Sequence, residues 1–254
     1  MMQQLDQALK KLRLPSFLAN YQALAISFEQ QGRFSAVEYL EELVRLQIES
    51  SAQNKVARII KDAGLHTNKL LNEFDLAEVP SLLPSKLHEL GQGGFISKAE
   101  NLLIFGGTGS GKTHLCNGLA NKWCIAGTRV YYTSAANLVA ELVIAQSAAS
   151  LRQLHKRLNR NSVIIIEDIL QHHYTRQELT LLMSLLAEYY EKKSIVISAH
   201  LPFAKWAEVL NDEMAVAMMI DKLVHHAHIV ELNTESYRLK QARRRLAEQT
   251  SDNQ

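Results

Sequence analysis

Gly106-Gly107-Thr108-Gly109-Ser110-Gly111-Lys112-Thr113 decides how this chain is read. The stretch fits G-x-x-x-x-G-K-[ST], a glycine-rich turn that cradles phosphate groups. Its flanks supply the context that motif needs. Asn101 to Phe105 is a short apolar run of the kind a buried parallel strand shows. His114 to Ile125 follows with Leu115, Leu119 and Trp123 at helical spacing. Strand, turn and helix N-terminus together make an anion site, because converging backbone N–H groups and the positive end of the helix dipole both favour phosphate. Gly106, Gly107, Thr108, Gly109, Ser110, Gly111, Lys112, Thr113 and His114 are therefore the expected nucleotide-binding residues. In such a loop the lysine, Lys112, reaches the β- and γ-phosphates and the hydroxyl of Thr113 ligates Mg²⁺. The plainer alternative is a glycine-rich turn with an exposed lysine; the strand and helix on either side argue against it.

Hydrolysis of a bound nucleotide also needs a carboxylate for Mg²⁺ and a group that orients the attacking water. Val163-Ile164-Ile165-Ile166 followed by Glu167-Asp168 reads as a buried strand ending in two acids. Glu167 is the expected second metal-side residue after Thr113. A polar side chain at the tip of the strand 194–198 would lie beside the γ-phosphate, and His200 is the candidate there; a surface-loop histidine is the alternative. His172-His173 and His225-His226-His228 suggest a separate metal site. Adjacent histidines in a helix or strand do not converge on one ion, and no cysteine or paired carboxylate completes a set. The only metal expected is the Mg²⁺ that accompanies ATP.

The surrounding chain is ordinary for a globular protein: 254 residues, 47% hydrophobic, 21% charged, formal charge +2. That charge neither demands nor excludes a nucleic-acid partner. Cys116 and Cys124 lie eight positions apart on one predicted helix, about 12 Å at ~1.5 Å per residue, too far for a disulfide. Free buried thiols in a reducing cytosol follow. No signal pattern and no run of 18 apolar residues occurs, so a cytoplasmic protein without membrane contact is expected.

Residues 1–62 read as helices only. Leu5, Leu9 and Leu12 form one stripe closed by Pro15; Phe17, Tyr21, Leu24 and Phe28 form a second that stops near Gly32. Ser35 and Glu38 match a capping box for a third helix, whose stripe runs through Val37, Leu40, Val44, Ile48, Val56 and Ile60. These stripes are expected to pack a small helical domain for partner or DNA contact. Residues 63–99, punctuated by Gly64, Pro80, Pro84 and Gly91-Gln92-Gly93-Gly94, read as a linker. From 100 to 245 strands (101–105, 129–133, 162–167, 194–198, 227–232) alternate with helices, and 246–254 is a polar tail. The fold class is α/β: a P-loop three-layer parallel-sheet domain behind a small all-helical N-terminal domain.

Basic residues collect in several places. In 151–160, Arg152, Lys156 and Arg160 share one helical face while Leu151, Leu154 and Leu158 lie on another. An exposed basic ridge on an apolar anchor suits sequence-independent, salt-sensitive phosphate contacts, and these three are the DNA-binding candidates. Lys10, Lys11, Arg13, Lys55, Arg58 and Lys61, and the C-terminal Lys240, Arg243, Arg244 and Arg245, are further clusters. A solvated helix face remains the alternative for each.

Taken together, the chain resembles the IstB-like family of AAA+ ATPases, transposition helpers related to DnaC-type helicase loaders. The likeness rests on Leu9-Lys10-Lys11-Leu12-Arg13-Leu14-Pro15, Asn20-Tyr21, Phe74-Asp75 and Gly111-Lys112-Thr113-His114-Leu115. It also rests on Leu201-Pro202-Phe203 with Trp206, and on Leu223-Val224-His225-His226-Ala227 leading to Glu235-Ser236-Tyr237-Arg238-Leu239. The resemblance implies an ATP-dependent, largely sequence-nonspecific binder of duplex DNA that oligomerises on DNA and recruits a partner transposase. A helicase loader gripping a replicative helicase, and a hydrolysis-deficient DNA-binding scaffold, are the alternatives.

By the family pattern Glu167 and Asp168 take the metal and water-activating positions, and His200 stands where an asparagine usually senses the γ-phosphate. Lys222 stands where an arginine usually reaches a neighbouring subunit, and Arg238 keeps its arginine. The family order of the two acids is Asp then Glu; here it is reversed. Lysine cannot reproduce arginine's planar fork. These departures fall on hydrolysis, so normal ATP binding with slow or DNA-dependent turnover is expected.

Overall fold

The computed structural model describes residues 2–30, 32, 35–65, 69–145, 147–234, 236–237, 239 and 243, the Met2 and Ala148 side chains excepted. It divides into two compact units, Met1–Arg58 and Ile59–Gln254.

The first unit holds α1 (Met2–Lys11), α2 (Pro15–Gln30) and most of α3 (Ala36–Ala63). Pro15 opens α2, where the missing N–H costs nothing because first-turn donors have no helical partner. Ser35 Oγ accepts from Glu38 N at 3.3 Å, as a capping box requires. Tyr21 donates to Asp6 (2.9 Å) and Tyr39 to the Tyr21 carbonyl (2.9 Å), tying the three helices together. The expected packing stripe of α3 is corrected. Val37, Leu40, Val44 and Ile48 are 41–66% exposed, whereas Leu43 is buried. Leu43 stands roughly 100° around the helix from the centre of that stripe, so α3 buries one apolar arc and leaves the adjacent one in water.

The second unit is built on a five-stranded parallel sheet. Its strands are β1 (Asn101–Gly106), β2 (Val130–Ser134), β3 (Val163–Glu167), β4 (Ser194–Ala199) and β5 (Ala227–Leu232), in the order β2-β3-β4-β1-β5. The three inner strands are apolar on both faces, as a doubly covered sheet demands; the edge strands β2 and β5 expose part of theirs. Alternate residues serve opposite layers. Leu102, Ile104, Val163, Ile165 and Val196 pack toward α5 (Lys112–Ile125) and α4 (Pro84–Gln92). Leu103, Phe105, Ile164, Ile166, Ile195 and Ile197 pack toward α6 (Ala135–Ile144), α7 (Ala148–Asn159), α8 (Arg176–Tyr189), α9 (Trp206–Leu210) and α10 (Glu213–Val224).

Residues 69–98, read from sequence as a linker, form short 3-10 turns and α4 within this unit. The indole N–H of Trp123 donates to the Leu90 carbonyl at 2.9 Å, fixing α4 to α5. Leu201-Pro202-Phe203 closes into a corner: Trp206 donates to the Leu201 carbonyl (3.0 Å) and Phe203 packs on Phe105. Cys116 and Cys124 are both free and buried. Among the described residues no helix is long and apolar enough to cross a membrane.

Candidate nucleotide-binding site

The strand order reverses at β1, with β4 on one side and β5 on the other. In open α/β sheets, ligands bind beyond the carboxyl ends of the strands at such a point. The glycine loop leaves β1 there and runs into α5, whose first residue is Lys112. Gly109 adopts φ +82°, a conformation that favours glycine, and a Cβ on it would stand 2.2 Å from Ser236 Oγ. Its carbonyl accepts from Tyr237 N at 3.0 Å, so the chain beyond β5 lies against the loop. Lys112 is buried, and its ammonium donates to the carbonyls of Gly106 (2.7 Å) and Gly107 (3.0 Å). The charge is thus held at the loop's mouth by the loop itself.

Glu167 ends β3 and is 9% exposed; its Oε1 has no hydrogen-bond partner. Burial pushes its carboxyl pKa up, while the flanking hydroxyls of Tyr132 and Thr113 oppose that rise. A buried carboxylate oxygen left open beside a threonine hydroxyl is a donor set suited to Mg²⁺. Asp168 leaves the strand with φ +54° and donates its N–H to Ser198 Oγ at 3.0 Å, which locks the tips of β3 and β4 together. His200 follows β4, and its Nδ1 is buried without a partner. Because β4 lies between β3 and β1, Glu167, Asp168, His200 and the loop stand at the ends of three adjacent strands.

Lys222 is elsewhere. It stands on α10 at the rim of a groove lined by Met183, Leu186, Met218 and Met219, and is not among the residues lining the loop's cavity. Arg238 lies outside the described residues, as do Lys240, Arg244 and Arg245.

The cavity beside the loop is also walled by Lys69, Phe74, Asp75, Val79, Thr234 and Tyr237. Phe74-Asp75 carried a family likeness in the sequence, but no role for any of these six was legible there. The reason is that 69–79 has no helical or strand period. It is placed by tertiary bonds: His114 Nε2 meets the Leu70 carbonyl at 2.8 Å and Asn117 Nδ2 donates to the Lys69 carbonyl at 2.9 Å. Gly118 lets this segment cross α5, since a Cβ there would stand 3.0 Å from the Leu71 backbone. His114 therefore shapes the cavity wall through Leu70 and an edge contact with Phe74.

The DNA-binding candidates sit apart from this cavity, on α7 and its C-terminal cap. Arg152, Lys156 and Arg160 are exposed and Leu154 and Leu158 are buried beneath them, whereas Leu151, expected in the same anchor, is exposed. The neighbouring Arg157 is different: it is paired with Glu141 and lies over the Tyr131 ring at 5.3 Å.

Comparison with known proteins places this arrangement. The family described as IstB-like ATP binding protein matches residues 7–245. A Sinorhizobium fredii protein named for ATP binding in an insertion sequence is 29% identical over 92% of this chain and 78% of its own length. A Pseudomonas aeruginosa protein named for ATP binding in insertion sequence IS21 is 33% identical over 73% of this chain and 70% of its own length. Among solved structures, the DnaC helicase loader superposes with a TM-score of 0.52 at 16% identity, covering 66% of this chain and 98% of that one. That likeness is one of fold, a parallel sheet with its covering helices. With a match that spans nearly the whole chain and a phosphate loop seated at the switch point of such a sheet, this protein belongs to the IstB-like ATP-binding protein family.

Proposed function

We propose that this protein is an ATP-dependent helper of DNA transposition that binds duplex DNA without sequence preference, oligomerises on it and engages a partner transposase. The observation that carries the reading is the open Oε1 of buried Glu167, whose carboxyl neighbours Thr113 of the phosphate loop. A buried carboxylate oxygen left without a partner is costly to the fold, and a nucleotide-bound cation would lower that cost. In this reading the loop from Gly106 to Thr113 holds the phosphates, and Thr113 and Glu167 would hold Mg²⁺, which would neutralise phosphate charge when bound. Asp168 orients the attacking water and His200 faces the γ-phosphate. Lys222 and Arg238 act where subunits meet. Arg152, Lys156 and Arg160 take DNA phosphates. The relatives named for insertion sequences support the transposition context.

A second reading is favoured by one cluster of observations. The Glu167-Asp168 order, His200 and Lys222 all bear on hydrolysis, so the protein works as a nucleotide switch with weak turnover that DNA-bound assembly stimulates. The deciding experiment measures ATP hydrolysis with and without duplex DNA, against Lys112→Ala. DNA-stimulated turnover supports the helper ATPase. ATP binding with no turnover above the variant supports a switch that does not reset itself. Absence of ATP binding refutes both. A helicase-loader role differs only in partner, and co-purification with a replicative helicase in place of a transposase would identify it.

A further inference from the structure

At the opposite end of the sheet from the phosphate loop, two turns bring three metal-ligating side chains together. Glu191 lies in the turn between α8 and β4, and His225-His226 form the turn between α10 and β5. One ligand atom from each can be chosen so that all three lie within 4.8 Å of one another. Glu191 Oε1 stands 3.7 Å from His225 Nδ1 and 3.9 Å from His226 Nε2. The sequence-based objection to these histidines, that neighbours in a helix or strand diverge, fails because the pair occupies neither. The pair forms the turn that follows α10, and the two rings meet at 4.1 Å.

From this geometry we propose a surface site for zinc or a similar divalent transition ion, held by Glu191, His225 and His226. An ion bound tetrahedrally at ~2.0–2.1 Å needs donor atoms ~3.4 Å apart. The 3.7 and 3.9 Å separations, and the pair of imidazole nitrogens within 4.8 Å, reach that value by rotations of exposed side chains. Two imidazoles and a carboxylate suit zinc, whereas Mg²⁺ and Ca²⁺ take oxygen donors, so this site and the nucleotide's Mg²⁺ site select different ions.

Both turns are held in place before any ion arrives. Buried Asn101 donates its backbone N–H to the His226 carbonyl (2.7 Å) and its side-chain amide to the Leu223 carbonyl (3.0 Å). On the other side, Lys192 and Lys193 donate their N–H groups to the Tyr189 carbonyl, and the Lys193 ammonium donates to the Asn159 carbonyl at 3.2 Å. The Tyr190 hydroxyl hydrogen-bonds His225 Nδ1 at 2.9 Å, and an ion that takes this nitrogen displaces that hydroxyl. A bound ion would staple the end of α10 to the lead-in of β4, across the start of β1.

The test is calorimetric titration of zinc chloride into the untagged full chain, stripped of metal and free of nucleotide. The expected result is one equivalent bound and a zinc-dependent rise in melting temperature. His226→Ala and Glu191→Gln, both at exposed positions, are expected to keep the zinc-free melting temperature and lose the bound equivalent. Lys112→Ala is expected to keep it, separating this site from the phosphate loop. Wild type that binds no zinc, or His226→Ala and Glu191→Gln variants that bind as wild type does, would overturn the proposal.

Discussion

Replacing Arg152, Lys156 and Arg160 together by alanine strips the exposed ridge of α7 and leaves its buried anchor, Leu154 and Leu158, untouched. The three cations stand at i, i+4 and i+8, about 6 Å apart along the helix and ~12 Å overall. One DNA strand presents a phosphate about every 3.4 Å of helix axis, so three or four phosphates pass beneath a ridge of that length and each cation has its own. Each neutralised phosphate contributes about 0.9 to the slope of log K against log salt, so the triple variant should lose ~2.7 from that slope. Over a fourfold rise in salt, from ~50 to ~200 mM, wild type should then lose ~40-fold more affinity than the variant does.

Fluorescence anisotropy on a labelled duplex, with a non-hydrolysable ATP analogue and several salt concentrations, reads both quantities. Net charge must be separated from position. The formal charge of +2 falls to −1 when three of 28 basic residues are removed against 26 acids (25 − 26). Lys98, Arg176 and Lys205, exposed and on elements other than α7, give the same change when replaced by alanine. That control should leave the slope intact, as should Arg157→Ala, because Arg157 is already engaged by Glu141. A ridge variant with the wild-type slope, or a control that lowers it equally, would refute the assignment.

Other perturbations address the nucleotide site and the core. Gly109→Ala should abolish ATP binding with little loss of secondary structure by circular dichroism, since the new Cβ meets Ser236 and the residue keeps φ +82°; retained affinity would show that the loop relaxes at no cost. Exchanging the two acids, Glu167→Asp with Asp168→Glu, should raise steady-state turnover by up to ~10²-fold at unchanged ATP affinity, because an offset of about 1 Å costs that much. No rise would mean that the acid order does not limit hydrolysis. Leu158→Ala should cost about 2–5 kcal/mol in denaturant unfolding, since its side chain is fully buried. Ile48→Ala, at 64% exposure, should stay within ~0.5 kcal/mol of wild type.

Much of the fold was legible because its signals are local. Five apolar runs between helical periods predict the five strands, and each agrees with an observed strand to within a residue at either end. The glycine spacing names the phosphate loop, and the acids after Ile166 fall at a strand tip as expected. In α3 the same kind of reading misled, because a period of apolar residues says that a face exists and not whether anything covers it.

What the sequence by itself determined is the strand and helix order, the phosphate loop and the family, since each depends on residue types at short, fixed separations. Tertiary structure decided which of four neighbouring basic residues on α7 is neutralised, because Glu141 reaches Arg157 from another helix. It likewise decided that the segment around Phe74 walls the nucleotide cavity and that Glu191 meets His225 and His226. These pairings join residues 16 to about 45 positions apart. Their separation in space is set only when the sheet closes between them, and no local period encodes that distance.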